Sequence, residues 1–142
     1  MRYAYPFTME PQPEGGFTVT FPDVPEAVTE GDTAAEAHAR AEDTLVTALS
    51  FYTDEARALP LPSAARGRPV AMVPPLVAAK LALHSAMLSA GISNVELARR
   101  LGWDEKSVRR LRDPLHRSHI GQVEAALRLL GKRLEVRVLE TN

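Results

Sequence analysis

The chain of 142 residues contains no cysteine. Disulfides and cysteine-based zinc sites are therefore excluded. No apolar run approaches the about 18 residues that a membrane span needs. Residues 1–10 lack the basic-then-apolar layout of a secretory signal, so a cytoplasmic location is the expectation. There are no internal repeats and no low-complexity tract. Net charge is nearly absent too, at −1, but that balance hides a split. Residues 1–79 carry 5 Lys+Arg against 11 Asp+Glu, a balance of −6, and residues 80–142 carry 12 against 7, a balance of +5. An acidic first half suits a basic partner, and a basic second half suits a polyanion.

The length suits two small units of roughly 60–75 residues, and cores of that size commonly gain stability by oligomerisation. Residues 1–74 predict a β-β-β-α-β unit. Tyr3, Tyr5, Phe7 and Met9 alternate as a strand interrupted by Pro6, which suits a sheet edge or bulge. Residues 11–16 form a turn. Phe17, Val19 and Phe21 alternate with Thr18 and Thr20 as a second strand, completing a hairpin. Residues 27–29 predict a short third strand. Thr33 and Glu36 form a capping box, and Ala34, Ala37, Ala41, Leu45, Ala48 and Tyr52 follow at helical spacing. Residues 60–69 read as a connection, and residues 70–73 return as a fourth strand before Pro74-Pro75.

Residues 75–142 read as mainly helical: a helix over 76–90 stopped by Gly91, two short helices over 94–101 and 105–112, and another from Ile120 closed by Gly131. Alternating Leu134, Val136 and Val138 predict a terminal strand. The overall expectation is α+β.

The two short helices have a helix-turn-helix layout. Ser93-Asn94-Val95-Glu96 is a capping box. Ala98 is small where two helices meet, and Gly102 marks the turn. Trp103 is expected to be a buried turn residue, and Asp104 can cap the second helix. Val108 and Leu111 face inward. The remaining face carries Glu105, Lys106, Ser107, Arg109, Arg110 and Arg112. In such motifs the second helix enters the major groove. Lys106, Ser107 and Arg109 are the candidates for base edges, with arginine able to bond guanine bidentately. Arg110, Arg112 and Arg117 are candidates for phosphates, as is Asn94 beside free helical amides. One such motif reads few bases, so a homodimer or tetramer is expected on double-stranded DNA. The tail 134–139 is a candidate for strand pairing between copies. His116 and His119 follow the motif without carboxylates at a metal-binding spacing, and no metal or cofactor is implied.

Residues 15–25, Gly-Gly-Phe-Thr-Val-Thr-Phe-Pro-Asp-Val-Pro, and residues 29–37, Thr-Glu-Gly-Asp-Thr-Ala-Ala-Glu-Ala, resemble the start of HicB antitoxins. Glu26-Ala27 departs from the Gly-Cys or Gly-Ala often found there in that family. The resemblance implies a partial ribonuclease H-like fold in residues 1–74 and a DNA-binding domain in residues 75–142. It further implies a type II toxin–antitoxin system, in which the chain inhibits a small basic HicA-like ribonuclease and represses its own operon at operator DNA. Asp23, Glu26, Glu30 and Asp32 are the candidates for toxin contact, although capping and solvation account for them equally well.

Two other readings remain open at this stage. A ribonuclease H-like nuclease needs several carboxylates converging on metal ions, and the strand 17–21 supplies none. Glu36, Glu42 and Asp43 lie on the helix with nothing opposing them. A stand-alone repressor would keep the DNA contacts and use residues 1–74 to oligomerise or to sense a ligand.

Overall fold

The computed structural model describes residues 2–141. It is a mixed α+β structure with five helices and two small antiparallel sheets. The expected first strand is two strands. β1 (Ala4–Pro6) pairs with β5 (Val70–Met72), while β2 (Thr8–Pro11) pairs with β3 (Phe17–Thr20). Phe7 stands at the break, fully buried, and its amide donates to the Pro69 carbonyl at 2.9 Å. The chain leaves one sheet and enters the other at this anchored residue, just after Pro6, which has no amide to offer a ladder.

β4 (Val28–Gly31) starts one residue later than expected and joins the other edge of β3. α1 (Ala34–Asp54) then crosses this sheet. It buries Ala37, Ala41, Leu45, Ala48, Leu49 and Tyr52, a series stepping by three and four, while Ala34 stays exposed. The crossing is tight at Gly31. A Cβ there would lie 2.5 Å from the Ala37 nitrogen and 2.7 Å from its Cα. At the start of α1 the Thr33 hydroxyl accepts from the Glu36 amide at 3.1 Å. In return the Glu36 carboxylate accepts from the Asp32 amide at 3.2 Å, one residue earlier than the expected box.

α2 (Pro75–Ala90) begins at the expected boundary but belongs to both halves. Its Leu81 enters the first core with Tyr5, Phe7, Val19 and Leu49. Its Ala79, Leu83, Ala86 and Met87 enter the second core. A helix apolar on nearly every side is one buried on nearly every side. α3 (Asn94–Leu101), α4 (Glu105–Arg112) and α5 (Ile120–Leu129) complete the second core with Leu97, Ala98, Val108, Leu111, Val123, Ala126 and Leu127. Fully burying a leucine or valine contributes about 1.5–3 kcal/mol, so the five leucines and valines among these residues carry much of what the three helices add to this core. Ile120, the first residue of α5, is exposed.

The expected terminal strand is not formed. Residues 132–141 carry no regular secondary structure, and Val136, Val138 and Leu139 are exposed. The alternation is that of a strand, but a strand needs a neighbour to satisfy its amides and carbonyls, and no strand of the described residues lies beside it. Among the described residues no single helix is long and apolar enough to cross a membrane.

Candidate nucleic-acid interface

α3 and α4 are joined by a tight turn built by local chemistry. The Ser93 hydroxyl accepts from the Glu96 amide at 3.1 Å and starts α3. Glu96 does not complete the expected box. Its carboxylate is taken by Arg99 and Arg100, both bonded at 2.9 Å through Nε, which holds its pKa down to about 2. α3 ends at Gly102 with φ of 72°, a left-handed conformation that favours glycine. Asp104 then starts α4 by accepting from the Ser107 amide at 2.7 Å, and that bond depresses its pKa. Trp103 is partly exposed and lines a surface cleft, where the sequence predicted burial.

Val108 and Leu111 seat α4 on the body, both buried. The opposite face presents Lys106, Arg109 and Arg110 to solvent, with Ser107 half-buried beside them. Arg109 is held at 3.0 Å by Glu105, one turn earlier. Arg110 stands between two clefts. One, of about 510 Å³, is lined by Trp103, Ser107, Arg110, Arg117 and His119. The other, of about 400 Å³, is lined by Asn94, Lys106, Arg109, Arg110 and Arg112, together with Asp54 at the end of α1. Arg117 is exposed in the connection to α5. Arg110 is thus common to both clefts, with Ser107 and Arg117 lining one and Lys106 and Arg109 the other.

Arg112 is a correction. The sequence reading placed it on the outward face, but it is half-buried and turned inward. Its Nη1 donates to Asn94 Oδ1 at 2.7 Å, its Nη2 donates to His84 Nδ1 at 2.7 Å, and its Nε is buried without a partner. Arg112 follows Val108 by four residues, so helical geometry sets both on one side. Asn94 is correspondingly engaged with Arg112.

The four acidic candidates of the first half are scattered among separate roles. Asp23 accepts from the Ser63 amide and hydroxyl at 2.8 and 2.9 Å, pinning the connection 60–69. Glu26 accepts from the Tyr52 hydroxyl. Glu30 is exposed, and its carbonyl is covered by Arg40 at 3.1 Å. Asp32 is exposed, next to the start of α1. Of the helix carboxylates, Glu36 pairs with Arg40 at 2.6 Å and Glu42 lies 4.0 Å from His38. Among the described residues no three potential metal ligands stand together.

Two residues that the sequence reading passed over support this region. Lys80 and His84 are fully buried on α2, four residues apart. Lys80 Nζ donates to the carbonyls of Arg110 at 3.1 Å, Asp113 at 2.8 Å and His116. His84 Nε2 meets the Arg57 carbonyl at 2.7 Å. A lysine and a histidine at a four-residue step inside an apolar helix were the signal that could have found them.

Residues 4–82 match the family described as HicB_like antitoxin of bacterial toxin-antitoxin system. The chain is similar over most of its length to several curated proteins, three of which follow. It is 42% identical to Antitoxin HicB of Escherichia coli strain K12, over 93% of this chain and 96% of that one. It is 43% identical to Antitoxin HicB 2 of Photorhabdus laumondii, over 96% and 95%. It is 40% identical to Antitoxin HicB of Pseudomonas fluorescens, over 93% and 91%.

Proposed function

This chain belongs to the HicB-like antitoxin family, and from that premise we propose that it neutralises a small basic HicA-like ribonuclease and represses its own operon by binding operator DNA. In this reading the first half is a partial ribonuclease H-like domain that takes the toxin. α3 and α4 are a helix-turn-helix that takes DNA. The observation that carries the second activity is the exposed face of α4, where Lys106, Arg109 and Arg110 stand free of the core. Lys106 and Ser107 lie in the first turn of α4, the end that meets base edges in such motifs, and Arg109 follows one turn after Glu105 on the exposed side. Arg110 and Arg117 line a neighbouring cleft suited to a backbone phosphate. Arg112 and Asn94 hold each other in the wall of the cleft that Lys106 and Arg109 also line.

The charge split supports the division of labour, with an acidic half for a basic toxin and a basic half for DNA. The exposed tail with Val136, Val138 and Leu139 suits pairing with the same segment of a second copy, giving a dimer that matches a two-fold operator.

Co-expression with the short reading frame adjacent to the gene tests the first activity. The expected result is a co-purifying complex and relief of that product's toxicity. Binding to the DNA upstream of the operon tests the second. A chain that retards that DNA but captures no neighbouring product is a stand-alone repressor. One that does the reverse is an antitoxin without autoregulation. A monomer by light scattering would remove the dimer.

A further inference from the structure

The reading helix is held from behind by two buried side chains of a helix outside its own motif. We infer that Lys80 and His84 are positioning residues for DNA reading, fixing from one face of α2 where α4 ends and how its outer face is presented. The inference rests on the DNA-binding reading above and assigns its supporting residues.

Lys80 acts at the C-terminal end of α4. The last carbonyls of a helix have no partners within it. Here the Arg110 carbonyl, with those of Asp113 and His116 in the following connection, converges on one ammonium group. Three N–H donors meet three acceptors, so the ammonium is satisfied despite full burial. These bonds tie the end of α4 and the connection bearing Arg117 to the same point of α2.

His84 acts one turn further along α2. A carbonyl only accepts, so the nitrogen facing Arg57 carries the proton, and Nδ1 offers its lone pair to Arg112. The neutral imidazole thus bridges the segment after α1 to the last turn of α4. Arg112 extends the bridge to Asn94 at the start of α3. Each helix of the pair is fixed relative to α2 by directional bonds as well as by packing.

Packing alone does not demand these residues. Burying an ammonium costs free energy that only complete hydrogen bonding offsets, and an apolar side chain of the same length would fill the same space on α2. What the polar pair adds is angular definition. Apolar contact is non-directional, whereas hydrogen bonds weaken steeply away from linearity. Functional groups need their geometry held to about 0.5 Å.

The test compares the DNA upstream of the chain's own coding sequence with a random duplex of equal length, at one salt concentration and well below the melting temperature. Lys80→Met keeps the stem and removes the donors. It is expected to lower affinity for the upstream DNA about tenfold, while affinity for the random duplex changes less than about twofold, because the surface charges remain. His84→Leu is expected to behave alike. His84→Gln, which retains a donor and an acceptor, should stay within about threefold of the unaltered chain. If Lys80→Met fails to fold by circular dichroism, the His84 pair decides. Unchanged preference in the folded variants, or equal losses on both duplexes, overturns the positioning role while leaving DNA binding intact. An unaltered chain with no preference between the duplexes overturns the DNA-reading assignment and this role with it.

Discussion

The Tyr52 hydroxyl, in the last turn of α1, donates to both carboxylate oxygens of Glu26, at 2.7 and 2.8 Å. The bond lowers the Glu26 pKa, and burial together with this contact raises that of Tyr52. Glu26 is exposed, so solvent screens the pair. Tyr52→Phe is expected to cost under about 1 kcal/mol, seen as a small fall in melting temperature. If Glu26 is a toxin contact, Glu26→Gln will weaken the toxin complex by more than Tyr52→Phe does.

Gly31→Ala should be the most damaging small change in the first half. The added methyl would meet backbone atoms of Ala37 at 2.5 and 2.7 Å. Backbone cannot rotate aside as a side chain can, so β4 and α1 must separate. A loss of about 3 kcal/mol is expected, at the upper end for overpacking, measured by chemical denaturation.

Arg109→Ala and Arg112→Ala should fail differently. Arg109 is exposed and tethered only to Glu105. Its loss should weaken operator binding by about 1–3 kcal/mol and relax one base preference, with stability little changed. Arg112→Ala strips partners from His84 and Asn94. It should cost about 1–3 kcal/mol of folding stability. Parallel melts and binding curves separate the two.

Asp54 lines the same cleft as Lys106, Arg109 and Arg110. A phosphate drawn to those cations meets a carboxylate beside them. Asp54→Asn is expected to raise affinity for specific and random DNA alike, by about two- to fivefold at low salt, with the gain shrinking as salt rises. Equal affinity at low salt would show that bound DNA stays clear of this cleft.

Stability should fall on the acid side in two stages. Burial holds the His84 pKa below 6.5, with the Arg57 carbonyl opposing that shift and the Arg112 cation adding to it. As pH drops below 6.5 the unfolded chain takes up this proton first, so stability is lost from there downward. The second stage starts near 4.5, where the carboxylates of Glu26 and Glu96 are held below their ordinary values, Glu96 to about 2. Their contribution is present above 4.5 and disappears as pH falls through the folded values. Melting curves between about pH 7.5 and 5.5 should slope less steeply for His84→Gln than for the unaltered chain.

Much of this was legible because local signals and packing agree. Thr33, Ser93 and Asp104 all start helices, and Gly102 turns between two of them, as side-chain and backbone chemistry require. The errors arose where a residue's partner is distant in sequence. Phe7 divides one apparent strand because Pro69 lies opposite it. The tail alternates like a strand, yet no strand of the described residues pairs with it. Arg112 counts as basic surface until its four-residue step from Val108 is weighed. Lys80 and His84 were hidden in an apolar stretch because their acceptors lie about thirty residues away, in segments whose approach to α2 no local pattern announces.

The pairing of β1 with β5 sets Ala4 against Met72, and this fixes an order in time. During synthesis the strand made first waits without a partner until Val70–Met72 emerges, by which point the hairpin and α1 are already available to fold. Long-range closure of this kind comes late, because the intervening loop must be ordered first. Leu81 enters the same core only nine residues afterwards, on the helix that also carries Lys80 and His84. The segment that finishes the acidic half therefore begins the basic one, and a nascent chain arrested before Met72 would hold neither finished surface.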